Sequence, residues 1–134
     1  MLYVNEVHSD QTGQLTLQIQ HLSCHDIGYI ETRSELASAE RGWRLSCDDY
    51  AQAVKQFRAD WEKISSVGID AELLERAADL AEGFSLRGYG DVHLAAADRV
   101  YKGVSEFAFI SFDKSLNHAA KLLGMDFPEF VPIS

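Results

Sequence analysis

Cysteine is scarce: Cys24 and Cys47 are the only two in 134 residues. Two thiols cannot form the set of bridges that staples a small secreted scaffold, so free thiols are expected. Both prolines fall in the last nine residues, DFPEFVPIS, and no linker, internal repeat or low-complexity tract interrupts the rest. No apolar run approaches the roughly 20 residues that a membrane span needs. The opening MLYVNEVHSD has no basic region followed by an apolar one, so no secretory signal is expected and a cytoplasmic location is the default. Positive charge is short as well, with 12 Lys and Arg against 21 acids and a formal net charge of −9. That excludes sequence-blind nucleic-acid binding through a broad basic face. It leaves room for an enzyme that meets nucleic acid through bound divalent cations.

What remains is globular. Hydrophobic residues make up 46% and charged residues 25%, enough to bury a real core in one domain spanning residues 1–134. Ser9 or Asp10 can cap a helix running to about His21. Residues 24–30 (CHDIGYI) are short and apolar enough for a strand, and Glu31 then starts a helix that turns Leu36 and Ala39 inward and stops at Gly42. Ser46 is an N-cap candidate for the helix that follows, in which Tyr50, Val54, Phe57 and Trp61 recur at helical spacing and Asp48 and Asp49 complement the dipole. Residues 63–69 (KISSVGI) read as a second strand, and Asp70 caps an amphipathic helix carrying Leu73, Leu74, Ala77, Ala78 and Leu80. A loop then leads into the stretch that organises the chain, residues 86–124.

That stretch reads as helix, buried strand, helix. Asp91 opens the first helix, along which Leu94, Ala97 and Tyr101 share a side. Residues 107–112 (FAFISF) are apolar on both faces, as in a strand covered on both sides. Asp113 stands where the strand hands over to a last helix with a stripe of Leu116, Ala119, Ala120 and Leu123. Helices alternating with short strands give an α/β class with a mostly parallel sheet.

Ligands of such sheets bind beyond the carboxyl ends of the strands. Glu31 and Asp113 follow strands, and the Asp91 helix start can face the same edge. Three hard oxygen donors with no thiol among them suit Mg²⁺ or Mn²⁺ rather than zinc. Helix capping alone also favours acids at these positions, and spacing leaves cap and ligand about evenly matched. His21, Cys24 and His25 resemble soft-metal ligands, but no second cluster completes a tetrahedral site, and a core cysteine with surface histidines is the better reading. His93, two residues after Asp91, reads as packing or hydrogen bonding. Gly83, Gly88 and Gly90 form no phosphate-cradling pattern, and the absence of GxSxG leaves a serine hydrolase without support.

LRGYGDVHLAAA followed by FISFDKSLNHAAKLLG resembles the C-terminal half of a PIN domain, close to the VapC-type toxins. In that family LRxxDxxHLAxA and FxTFDxxLxxAAxxLG each supply an acid, here Asp91 and Asp113. GYIETRSELA resembles the family's YxExRxxLA segment and puts its acid at Glu31. The similarity covers about two-thirds of the chain. It implies a three-layer α/β/α fold and a Mg²⁺- or Mn²⁺-dependent ribonuclease that cleaves phosphodiester bonds with a metal-activated water. Glu31, Asp91 and Asp113 would be its catalytic and metal-binding acids. Ser111 and Asn117 match positions with supporting roles. The resemblance also implies an RNA substrate, an antitoxin protein that covers the acidic site, and a homodimer.

The family's first strand ends in a further aspartate, roughly MIYLDTSALVKLYV, and this chain opens MLYVNEVHSDQ instead. One alignment sets residues 2–6 against the end of the family's first helix, leaving the central strand and its aspartate absent. The other sets residues 1–5 against the strand itself, with Asn5 replacing the aspartate. The spacing from Glu6 to Glu31 favours the first. Losing one acid should weaken metal binding, and losing a central strand leaves unpaired backbone edges. Residues 2–5 are therefore expected either to act as a short substitute strand or to leave a gap that a second copy covers. Two other functions stand beside the ribonuclease: a PIN-like scaffold that holds metal poorly, and a generic α/β ligand-binding domain whose acids are only caps.

Overall fold

Short strands and longer helices follow one another in a computed structural model that describes residues 21–86, 89–104, 106–111 and 113–127. The first helix, the substitute strand at residues 2–5, Asn5 and the end of the proline-bearing tail lie outside the described residues. The elements are β1 (Ser23–His25), α1 (Ile27–Arg41), α2 (Cys47–Trp61), β2 (Ser65–Val67), α3 (Ala71–Phe84), α4 (Gly90–Gly103) and α5 (Lys114–Leu122). The chain divides into two compact units, Met1–Ser66 and Val67–Ser134.

In the first unit, β1 and β2 pair as a two-stranded parallel sheet, and the Ser65 N–H donates to Leu22 O at 2.9 Å. Helices α1 and α2 pack together over Leu36, Ala39, Ala53 and Phe57, all buried. Tyr29 stacks on Phe57 at 5.3 Å and meets Trp61 edge-on at 5.4 Å. Ser46 caps α2 as expected, its side chain accepting from the Asp49 N–H at 3.1 Å.

Two expectations here need correction. Residues 24–30 are not one strand, because β1 ends at His25 and α1 is already helical at Ile27. His25 Nδ1 accepts the Ile27 N–H at 3.0 Å, which satisfies one of the donors a helix start leaves open. Gly28, Leu36 and Ala39 then form the buried side of one continuous helix. Glu31 is consequently one turn inside α1 rather than at its start. Residues 63–69 likewise keep strand geometry only at Ser65–Val67.

The second unit is built on α3, α4 and α5. Asp70 caps α3, accepting from the Leu73 N–H at 2.8 Å. Leu73, Ala77 and Leu80 pack with Leu94, Ala95, Ala96, Phe109, Leu116, Ala119, Ala120 and Met125. Leu74 is 53% exposed and Ala78 is exposed too, so the buried stripe of α3 is narrower than its apolar composition.

Residues 107–111 carry no assigned strand. Phe109 is buried and its N–H donates to Asp126 O at 2.8 Å, but Ala108 is exposed. The segment is covered on one side and bonded to the returning chain, which is why a run apolar on both faces is not a doubly covered strand here. Among the described residues the class is mixed α/β, mostly helical, with a two-stranded sheet rather than a larger one.

Candidate functional site

The last helix begins with a locked turn. Asp113 Oδ1 accepts the Leu116 N–H at 3.1 Å, and the Asp113 N–H donates to Ser111 Oγ at 3.1 Å. Asn117, fully buried, donates from Nδ2 to Ser111 O at 2.8 Å. Ser111 and Asn117 thus hold the backbone that leads into Asp113, while its carboxylate stays at the surface.

Helix α4 starts differently. The residue before it, Tyr89, makes no side-chain cap. Asp91, second in the helix and half-buried, turns its Oδ1 to the Val92 N–H at 2.8 Å. A Cβ built on Gly90 would lie 3.7 Å from Leu116 Cδ1, so the starts of α4 and α5 adjoin. The structure therefore brings Asp91 and Asp113 to neighbouring helix starts. The sheet-edge reasoning that first joined them does not apply to the described residues, since Asp113 follows no assigned strand.

Each carboxylate caps with one oxygen and has a second, so capping and ligation are compatible. Charge decides what such a pair can hold. Two helix N-termini contribute about +0.5 each, against −2 from the carboxylates, leaving about −1. The hard oxygen donors suit a hard divalent cation, but two alone hold it weakly, and a third acid would bring the balance to about −2.

Glu31 belongs to the first unit, half-buried on α1. Its charge is felt at Cys24, whose thiol is pushed up first by burial and then by Glu31 and Asp26. Within neither unit do the described residues gather three His, Cys, Asp or Glu side chains into a metal-holding group. His21 is exposed as expected, but His25 is buried at 2% exposure, a correction to the surface reading. It became a core residue because its ring turns back to the start of α1. His93 is half-buried.

The chain resembles VapC ribonucleases over half its length. Ribonuclease VapC45 of Mycobacterium tuberculosis (strain CDC 1551 / Oshkosh) is 34% identical over 71 residues, 53% of this chain and 49% of the relative. Ribonuclease VapC49 of the same species (strain ATCC 25618 / H37Rv) gives the same figures. The chain spans about half the length of the curated relatives it matches. No family model matches it. No helix among the described residues is long and apolar enough to cross a membrane.

Sequence reasoning missed the ion pairs between α3 and α4. Asp98, 4% exposed, takes Arg76 Nε at 3.1 Å and Lys102 Nζ at 2.9 Å on the same oxygen. Arg99 grips Asp70 with two bonds of 2.9 and 2.8 Å. Arg76, Asp98, Arg99 and Lys102 line a cleft of about 430 Å³ with Glu72, Glu75 and Asp79. The i,i+4 spacing of Asp98 and Lys102 was a visible signal. The pairing across to α3 had none.

Proposed function

We propose that the chain is a Mg²⁺- or Mn²⁺-dependent endoribonuclease of the VapC kind, with a PIN-like three-layer α/β/α fold. Asp91 and Asp113 hold the cation, and Glu31 is the third acid through its match to the family's YxExRxxLA segment. A divalent cation bound there would supply an activated water and offset the charge that develops on the phosphodiester. The residues of the chain do the rest. Ser111 and Asn117 fix the backbone leading into Asp113, and the Asp91 helix start lies against Leu116. Asn5 would have a supporting role only under the less favoured alignment that sets residues 1–5 against the family's first strand. The substrate is RNA, an antitoxin protein covers the acids, the working form is a homodimer, and the location is cytoplasmic.

The adjoining helix starts of Asp91 and Asp113, within the stretch that carries both C-terminal motifs, are the observation that carries this reading. The similarity to two VapC ribonucleases supports it. The low charge of the acid pair favours a second reading, a PIN-like scaffold with weakened or lost catalysis.

Incubating a structured RNA with the protein and Mn²⁺ separates the two. The ribonuclease reading expects cleavage that EDTA stops and that Asp91→Asn and Asp113→Asn reduce to background. Weak Mn²⁺ binding without cleavage would favour the scaffold instead. No response to Mn²⁺ at all would leave the acids as caps.

A further inference from the structure

The turn after α1 carries a residue that its backbone disfavours. Gly42 ends the helix, the Trp43 N–H donates to Glu40 O at 3.1 Å, and the Arg44 N–H donates to Ala39 O at 2.9 Å. These are the paired bonds of a Schellman motif. The residue after the cap then turns left-handed, a place usually filled by glycine because a Cβ is strained there. Here it is Trp43, with φ of 62°. Glycine stands one position too early to help.

The indole gains nothing from the core, since Trp43 is 93% exposed. A large ring is thus held on strained backbone and in water. Strain of this kind points to a role outside the fold. Arg41 and Arg44, both exposed, flank Trp43 in the sequence of the turn. The chain has 12 bases against 21 acids; aromatics also lie between bases at Phe57 and Tyr101, but those rings are buried or half-buried, and Trp43 is the exposed one. Glu40 before the turn and Asp48 and Asp49 after it confine the positive charge to a point.

We propose that Trp43, Arg41 and Arg44 form a contact for single-stranded RNA. The ring stacks on an unpaired base and the guanidinium groups meet the flanking phosphates. This rests on the ribonuclease reading and adds a substrate-holding point to it. An aromatic face accepts any base, and arginine pairs well with phosphate oxygens. A protein partner fits less well, because docking of that kind uses a contiguous apolar patch. Of the residues around Trp43 in the turn, Gly42, Arg44, Ser46 and Cys47 are exposed, and Leu45 packs against the core of the first unit. Ile30, the exposed large apolar residue of α1, lies about 17 Å back along the helix from its end.

The test titrates a dye-labelled, short, unstructured RNA with the full chain by fluorescence anisotropy. It is run in EDTA, and again in Mg²⁺ with the Asp113→Asn chain. Trp43→Gly should weaken binding about tenfold while raising the melting temperature, so misfolding cannot account for the loss. Trp43→Phe should keep most of the affinity. Arg41→Gln with Arg44→Gln should lower the slope of log K against log salt by about 1.4. RNA binding by the parent chain that is unchanged in Trp43→Gly overturns the inference and leaves the ribonuclease reading standing. No RNA binding by the parent chain in either buffer overturns both. Intact RNA binding with a dimer that dissociates in Trp43→Gly, seen by sedimentation, assigns the turn to a protein contact and also overturns the inference.

Discussion

Gly90 lies against Leu116, with a methyl group added to the glycine falling 3.7 Å from the leucine Cδ1. This contact joins the two helix starts that carry Asp91 and Asp113. The distance is an ordinary van der Waals contact, so alanine fits without displacing α5. Gly90→Ala should melt at or above the parent temperature and respond to Mn²⁺ as the parent does. Gly90→Leu should push the helix starts apart and weaken the Mn²⁺ response with both acids intact. A Gly90→Leu protein with an unchanged Mn²⁺ response would show that the approach of the two helices is irrelevant to the site.

Asp113 has two separable jobs. As the N-cap of α5 it accepts the Leu116 N–H, a task asparagine performs about as well. In EDTA, Asp113→Asn should therefore melt within a degree or two of the parent, whereas Asp113→Ala should lose about 1 kcal/mol of stability. Thermal unfolding of the three proteins side by side checks this. An asparagine variant as unstable as the alanine one would mean that the charge itself holds the turn.

Asp70 gives the fold a pH signature. The Arg99 side chain first, and the Leu73 N–H after it, hold its carboxyl well below the ordinary 3.8, at about 2. A carboxyl lowered by folding favours the folded state above its unfolded value and loses that contribution as pH falls toward its folded one. The contribution of Asp70 is therefore complete above about pH 4 and fades between pH 4 and 2. Carboxyl NMR should find Asp70 titrating near the lower limit in the parent and moving up in Arg99→Gln. An Asp70 that titrates at its ordinary value in the parent would remove the Arg99 pairing from solution.

Asp98 is buried while its partners are not: the Arg76 and Lys102 side chains keep 36% and 66% of their exposure. Removing the carboxylate leaves cations that water can reach, so the penalty falls below that of a fully buried pair. Asp98→Ala should cost about 1–2 kcal/mol, read from urea unfolding with an unchanged m-value. A neutral result would make the pair a surface interaction despite its burial.

The helices were legible where side chains mark their own boundaries. Ser46, Asp70 and Asp113 each cap the helix they precede, and Gly42 ends α1 as its position suggests. The strands were not. FAFISF has the composition of a doubly covered strand, but composition does not say whether a neighbour is there to pair with, and Ala108 faces outward. Residues 24–30 misled for a related reason. An apolar run that short fits strand or helix, and the His25 ring, which no propensity describes, tips it to helix. At the site, spacing placed Asp91 and Asp113 at helix starts, where both stand, but it left cap and ligand even; only the motif resemblance made them a site. The ion pairs of Asp98 and Arg99 were not legible, because the helix facing them is fixed only by tertiary packing.

The most direct measurement of the central claim is the melting temperature of the protein as Mn²⁺ is raised into the millimolar range. At ten times the dissociation constant, binding to the folded state alone adds about 1.4 kcal/mol, enough for a shift of several degrees. The parent should show that shift, and Asp91→Asn and Asp113→Asn should each abolish it. A parent that does not shift, or a shift that survives both substitutions, would contradict a metal site at these two acids.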